Sequence, residues 1–478
     1  MSLHANFFEH IRETLLRYPE QVLVVWPAGE GGAATATFTG QDILSRVQGI
    51  REVLTDSGAR PAELVLLAMP VGINLICSLL AIMALGAVPV LPPAKTSPTG
   101  VLRLLRRSRI RAVVTQRPPG LASRFVGWSF GVRLTAINQV AARPTMPSQV
   151  VSEEQPALIS HRSGSTGFPK AIQRAHRVLL AQHRAIAAVF PPWVRQRDFP
   201  LFPNILLHNL AAGVVSVLPD VAWGTAAPVP AARLVQQLQQ EHIQTMAGNV
   251  WYFKALVRYL QQHPTALPEV VGIGVGGSPV PEPLLQELQR LFPQATVHVI
   301  YGSSEAEPIA VRPVGPRPSN PLAGYCVGAL HPALECRIER HGTLSRGAEA
   351  VQPVGEILVR GPHVAAKPGQ WLRTGDFGYL ADGQLYLTGR QGNERLHHGV
   401  QHYQLEHLLY HLPGVEQVAA RADVAGFTLF VQGTATRQAI EELLAKNFSV
   451  CPRCAIVFRA HLPVDARHHS KILYDQLR

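Results

Sequence analysis

Arg162-Ser163-Gly164-Ser165-Thr166-Gly167-Phe168-Pro169-Lys170 is the stretch from which the rest of the chain can be read. It packs two glycines, three hydroxyl side chains and a lysine into nine residues. Glycines let backbone N–H groups approach an anion closely, hydroxyls add donors, and the lysine supplies a mobile positive charge. The run Ala157-Leu158-Ile159-Ser160 before it reads as a strand, and a helical pattern follows from Val178. The expected context is therefore strand, phosphate loop, helix. The spacing Gly-x-x-Gly-x-x-Lys, with Ala171 after the lysine, separates it from a Walker A loop, which needs Ser or Thr there for magnesium. A polar surface turn is the competing reading.

A chain of 478 residues exceeds one ordinary core and implies two or more domains. Its apolar content of 47% and charged content of 16% describe a globular protein. The net charge of +12 comes from 38 Arg and only six Lys (Lys95, Lys170, Lys254, Lys367, Lys446 and Lys471) against 32 acidic residues. The densest basic patch, Arg103, Arg106, Arg107, Arg109 and Arg111, has no aromatic residue interleaved, so it offers no stacking platform for nucleic acid. A solvated helix face explains it, with docking of an acidic carrier protein as the alternative. Cys451-Pro452-Arg453-Cys454 has metal-like spacing, but no second pair or histidine set completes a zinc site. A reduced, cytoplasmic protein without a signal peptide is expected. Residues 64–93 are apolar enough to suggest a membrane helix. Pro70, Gly72 and Asn74 interrupt the run, and Gly86 and Pro89 follow. A buried strand (64–69), helix (74–85) and strand (87–91) fit better, so no transmembrane segment is expected.

Upstream lie an amphipathic helix (7–16), strand patterns at 21–25 and 35–38, and a helix over 40–57. Beyond the loop, helices (231–241, 249–262, 283–291) alternate with strands (270–275, 296–300), which argues for parallel sheets covered by helices. After about residue 312 short runs with Gly and Pro predict a β-rich subdomain. From residue 391 a smaller α+β piece follows.

Four further stretches carry chemistry. Gly274-Val275-Gly276-Gly277-Ser278 follows a strand and would let a flat ligand lie against backbone, though a tight turn accounts for it equally well. Tyr301-Gly302-Ser303-Ser304-Glu305, with Glu307 close behind, also follows a strand. A ring, hydroxyls and carboxylates there suit a nucleotide and magnesium, and a capped helix start is the alternative. In Trp371-Leu372-Arg373-Thr374-Gly375-Asp376 a carboxylate stands behind a glycine, where it could accept from vicinal ribose hydroxyls or serve as a hairpin residue. Gly389-Arg390 closes the next strand. The tail Pro463-Val464-Asp465-Ala466-Arg467-His468-His469-Ser470-Lys471 gathers cations able to meet developing negative charge, or forms a solvated basic end.

In this order, these stretches together resemble the ANL superfamily of adenylate-forming enzymes, which includes acyl-CoA synthetases, fatty acyl-AMP ligases, nonribosomal adenylation domains and luciferases. The likeness spans essentially the whole chain. It implies a large AMP-binding domain over residues 1–389 and a small mobile lid over 390–478. It implies ATP as substrate with Mg2+, and a small carboxylic acid that attacks the α-phosphorus to give acyl-AMP and pyrophosphate. By resemblance, Ser163, Gly164, Ser165, Thr166, Gly167 and Lys170 hold the phosphates, and Gly276, Gly277, Ser278 and Tyr301 frame the adenine, with Gly302 and Ser303 alongside. Ser304 and Glu305 serve the γ-phosphate and the metal, Asp376 binds ribose near Arg390, and Lys471 bridges carboxylate and α-phosphate. His208 resembles the family's gate beside the acyl pocket. Apolar residues around 205–217 and 251–256 favour a fatty or aryl acid, unless they are simply core helices.

The chain departs from the family at Gln391, where an aspartate is usual in CoA ligases, at Leu396, where a lysine is common, and at Ser470, where glycine is usual. Arg162 and Ala171 are milder departures. Transfer to CoA or a carrier thiol is the first expectation, by breadth of the family. The Pro463-Val464-Asp465-x-Arg467-His468 signature resembles the olefin β-lactone synthetase branch, where the hydroxyl of a β-hydroxy acid displaces AMP. A non-catalytic nucleotide-binding relative is the third reading.

Overall fold

The computed structural model describes residues 5–477 apart from 28–34, 94–95, 119, 121–126, 128, 138–139, 163–169, 203, 222, 224–226, 317–318, 346–350, 449–451 and 466–468. The chain divides into two compact units, Met1–Thr225 and Ala226–Arg478.

The described strands of the first unit are β1 (Val22–Trp26), β2 (Ala36–Thr39), β3 (Leu64–Ala68), β4 (Val88–Val90), β5 (Ala112–Thr115), β6 (Arg133–Ala136), β7 (Pro156–Arg162), β8 (Lys170–Ala175), β9 (Arg197–Pro200) and β10 (Val215–Val217). Its helices are α1 (Phe7–Arg17), α2 (Gly40–Asp56), α3 (Ile73–Ala84), α4 (Pro98–Arg107), α5 (His176–Val189) and α6 (Ile205–Ala212). One sheet runs β6-β5-β3-β4-β7-β8, parallel throughout except for the antiparallel pair β7–β8. A second runs β9-β10-β1-β2, with only β1–β2 antiparallel. The suspect apolar stretch is indeed a β3-α3-β4 crossover. Every residue of α3 from Cys77 to Ala84 is buried, which explains a helix apolar on all sides. The Arg-bearing helix α4 starts at a Ser97 cap that accepts from Gly100 N–H, has Pro98 in its first turn, and exposes Arg103, Arg106 and Arg107.

One expectation is corrected. Lys170 does not lead into a helix but opens β8, with Arg162 as its register partner across the β7–β8 ladder. The phosphate-loop sequence thus joins two antiparallel strands, and α5 begins only at His176. The segment Lys170-Ala-Ile-Gln-Arg-Ala pairs along its length with β7, which takes up backbone groups that a helix would satisfy internally.

The second unit opens with α7 (Ala231–Gln240), β11 (Thr245–Asn249), α8 (Val250–Gln262), β12 (Gly272–Gly276), α9 (Glu282–Leu291) and β13 (Thr296–Ser303), where β11, β12 and β13 are parallel neighbours. The expected β-rich part follows as β14 (Ala306–Pro313), β15 (Tyr325–Leu330), β16 (Glu335–Ser345), β17 (Val351–Arg360), β18 (Leu372–Ala381) and β19 (Gln384–Arg390), all antiparallel, in the order β16-β17-β18-β19-β15-β14-β13. Beyond Arg390 come α10 (His402–Leu409), β20 (Val415–Ala422), β21 (Phe427–Gly433), α11 (Arg437–Asn447) and β22 (Cys454–Phe458). These strands form a separate three-stranded sheet over a core that includes Leu405, Leu409, Phe427, Leu429, Val431 and Ile440. Among the described residues no helix is long and apolar enough to cross a membrane.

Candidate active site

The hydrogen-bond ladder between β18 and β19 sets Asp376 directly opposite Arg390. Their side chains form an ion pair, and the Tyr301 hydroxyl, from β13, donates to Asp376 Oδ2 at 2.9 Å. Asp376 and Tyr301 are each only 9% exposed, and the buried carboxylate is compensated by the cation and the donor that face it. The Asp376 N–H donates to Thr374 Oγ1 at 3.0 Å, which pins the backbone just past Gly375, where φ is +74°. Burial, then the charge of Asp376, holds the Tyr301 phenol well above its ordinary range, so it stays a neutral donor. The charge of Asp376 outweighs desolvation and keeps the Arg390 guanidinium firmly protonated. An ionised carboxylate has about four acceptor sites, so Asp376 retains capacity for a vicinal diol.

Behind Arg390 lies a set of residues that the motifs did not announce. The backbone N–H of Arg390 donates to His402 Nε2 at 3.1 Å, which places the ring proton on Nδ1, 3.1 Å from Glu406 Oε1. Glu406 Oε1 also accepts from the Tyr474 hydroxyl at 2.7 Å and the Ala420 N–H at 2.9 Å. This chain links α10, β20 and the C-terminal segment to the end of β19. The only trace of it in the sequence is the His402/Glu406 spacing of one helical turn.

Gly276 ends β12, and a Cβ there would come within 2.6 Å of the Ile300 carbonyl oxygen, so the close strand pairing excludes any side chain. Gly277 follows at φ +81°, and Ser278 stands half-buried after it. The stretch 301–305 is neither a helix start nor an open loop. Ser303 pairs with Ala306, so Ser304 and Glu305 form the tip of the β13–β14 hairpin. A Cβ on Gly302 would meet the Ala306 carbonyl at 2.9 Å. Glu305 is buried, with its carbonyl accepting from Ala365 N–H at 2.6 Å. A hairpin tip with one carboxylate and adjacent hydroxyls fits magnesium, which takes one or two protein carboxylates and completes its shell with phosphate and water. Lys471 directly precedes Ile472, which forms an antiparallel bridge with Val464.

In the first unit, Lys170 is exposed at the start of β8, while Ser163, Gly164, Ser165, Thr166 and Gly167 lie outside the described residues. His208, on α6, does not stand alone. Its Nδ1 is 2.9 Å from His183 Nδ1 on α5, and His183 in turn meets the edge of His10 on α1 at a ring separation of 5.0 Å. Burial pushes His208 down to about 3 and His183 down to about 4, so both rings are neutral at ordinary pH, one donating and the other accepting.

A family model described as AMP-binding enzyme matches residues 11–367. The chain is 27% identical to the olefin beta-lactone synthetase of Stenotrophomonas maltophilia, with 100% of this chain and 98% of that protein aligned. It is 26% identical to the 4-chlorobenzoate–CoA ligase of an Arthrobacter species over 77% of this chain and 75% of that one. Among solved structures, o-succinylbenzoate coenzyme A synthetase from Bacillus subtilis in complex with AMP superposes with a TM-score of 0.77 at 18% identity, covering 98% of each chain. ATP-bound MatB from Rhodopseudomonas palustris gives 0.76 at 15% identity, with 99% of this chain and 98% of that one covered. At those identities the superpositions speak to fold.

Proposed function

The chain belongs to the AMP-binding enzyme family and is an ATP-dependent acid ligase, and we propose that its substrate is an apolar, β-hydroxylated carboxylic acid. The observation that carries the nucleotide half of this reading is the buried Tyr301–Asp376–Arg390 constellation. It offers a fixed anion with free acceptor capacity, suited to a ribose diol. Gly276 and Gly277 supply a side-chain-free edge beside it for a purine.

In the proposed reaction a carboxylate oxygen attacks the α-phosphorus and the bond to pyrophosphate breaks. Ser163–Gly167 and Lys170 would hold the departing phosphates, and Ser304 and Glu305 the magnesium. Bound there, the metal supplies charge neutralisation at the phosphate oxygens. Lys471 would meet the charge shared between carboxylate and α-phosphate, a contact worth most in the transition state. His208 is carried as an acyl-pocket residue, and residues 390–478 as the lid over this chemistry.

For the second half-reaction two acceptors compete. A thiol, of CoA or an acidic carrier protein, would take the acyl group from AMP. Alternatively the substrate's own β-hydroxyl oxygen attacks the acyl carbon, loses its proton, and expels AMP to close a four-membered lactone. The second reading is favoured by the end-to-end likeness to a β-lactone synthetase and by Gln391, Leu396 and Ser470, which replace residues usual in CoA ligases. Mass analysis of products from β-hydroxy, fatty and aryl acids, each with and without CoA, tests this. A lactone formed without CoA supports it, and a thioester formed only with CoA redirects it to the thiol acceptor.

A further inference from the structure

The segment bearing Lys471 is fixed by contacts that none of the roles above requires. Within the segment, the Asp465 N–H donates to the Lys471 carbonyl at 2.8 Å, and the Leu473 N–H donates to the Pro463 carbonyl at 2.9 Å. These bonds close the segment on itself without determining where it points.

Two side-chain contacts bear on that. The His469 ring lies against the Trp251 indole with 4.5 Å between centroids and 36° between planes. The Ser278 hydroxyl donates to Ser470 Oγ at 3.0 Å. They involve the two residues immediately before Lys471. The anchors share one origin in the fold. Asn249 of β11 pairs with Gly276 of β12, and Trp251 and Ser278 each lie two residues past that rung. Trp251 is itself held at the start of α8, because the Asn249 side chain accepts from its N–H at 3.0 Å. One turn along α8, Lys254 Nζ donates to the Glu416 carbonyl at 2.8 Å, a second tether to the C-terminal piece. His469 adopts φ +52°, a left-handed conformation that a residue with a side chain keeps where its surroundings hold it. Ser470 stands where glycine is usual in the resembled family, and its hydroxyl is the group that makes the contact.

We propose that Trp251 and Ser278 are positioning residues that latch His469 and Ser470 and thereby aim Lys471 for the adenylation step. The latch itself is a matter of geometry; its effect on rate rests on the role given to Lys471 above. Trp251 and Ser278 do not touch the reacting atoms in this account.

The two layers are tested separately in the full-length protein. Oxidation of S278C/S470C should give an intramolecular disulfide, seen by non-reducing gel and peptide mass, and absent from either single variant. Adding W251A to that pair should slow cross-linking about tenfold, the scale of one ring contact. In the otherwise unaltered chain, W251A should lower kcat of acid-dependent ATP–pyrophosphate exchange about tenfold with KM for ATP unchanged, and W251F should restore most of it. A folded double-cysteine variant that fails to cross-link overturns the latch, as does cross-linking indifferent to W251A. Slower cross-linking with unaltered exchange overturns the positioning role. If the unaltered chain shows no exchange with any acid, the adenylation reading fails, and the cross-linking still decides the latch.

Discussion

Two polar clusters, one in each unit, solve the same problem in opposite ways. Asp376, Arg390 and Tyr301 bury charge and keep it, because the anion and the cation come from facing rungs of one ladder and a neutral phenol supplies the remaining donor. His10, His183 and His208 are half-buried basic groups with no carboxylate in hydrogen-bond contact among the described residues, and desolvation keeps His183 and His208 uncharged. The first suits the recognition surface proposed above, and removing one member strands the others. The second is a neutral junction between helices whose charge state follows pH, with His208 keeping its proposed place at the acyl pocket. A polar cluster therefore reveals its use by which charge state its neighbours stabilise, not by how many titratable groups it holds.

That contrast can be broken most severely at Asp376. D376A leaves the half-buried Arg390 without its carboxylate and removes the acceptor proposed for the ribose diol, so kcat/KM for ATP in steady-state exchange should fall by roughly 10²–10³-fold. D376N, which keeps shape and loses charge, should lose less. A D376A enzyme with ordinary ATP kinetics would place nucleotide recognition elsewhere. Next in size, K471A should reduce exchange about 100-fold while ATP binding by calorimetry persists, because the lysine acts on the transition state. A parallel loss of ATP affinity would count against that division. R390K keeps the charge but gives up the planar fork, and should cost about tenfold in KM for ATP.

The smallest effects are expected from the histidines and concern stability. Their folded pKa values, about 3 for His208 and about 4 for His183, lie below the ordinary value of 6.5. Between those limits the unfolded chain binds more protons, so stability should decline as pH falls from about 6.5 toward 4. Each histidine contributes about 1.4 kcal/mol per pH unit at most. H208Q should shallow that decline by up to one proton, read from denaturant midpoints at a series of pH values. An unchanged slope would show that His208 does not titrate on unfolding. The ATP KM of H208Q should stay near that of the unaltered chain.

The difference in legibility has the same root. Asp376 follows a glycine in a short recognisable run, Arg390 closes the next strand, and Tyr301 opens a run of glycine, hydroxyls and a carboxylate, so each could be singled out before its partners were known. The histidine junction could not, because His10, His183 and His208 come from three helices whose facing sides no local pattern specifies. The phosphate loop was legible as chemistry but not as context. The six residues Lys170–Ala175, between the loop and the helical pattern from Val178, carry no strand signal and are an antiparallel strand, because β7 offers them a complete ladder. Trp251 looked like one more apolar residue of a helix. Only the stack with His469, 218 positions along the chain, distinguishes it.

The central claim is that the constellation around Asp376 serves acyl-adenylate formation, and isotope exchange between pyrophosphate and ATP tests it most directly. Exchange should depend on added carboxylic acid, be strongest for apolar β-hydroxy acids, need magnesium, and fall by about 100-fold or more in D376A and K471A. An unaltered chain that binds ATP but exchanges no pyrophosphate with any fatty, β-hydroxy or aryl acid would contradict it.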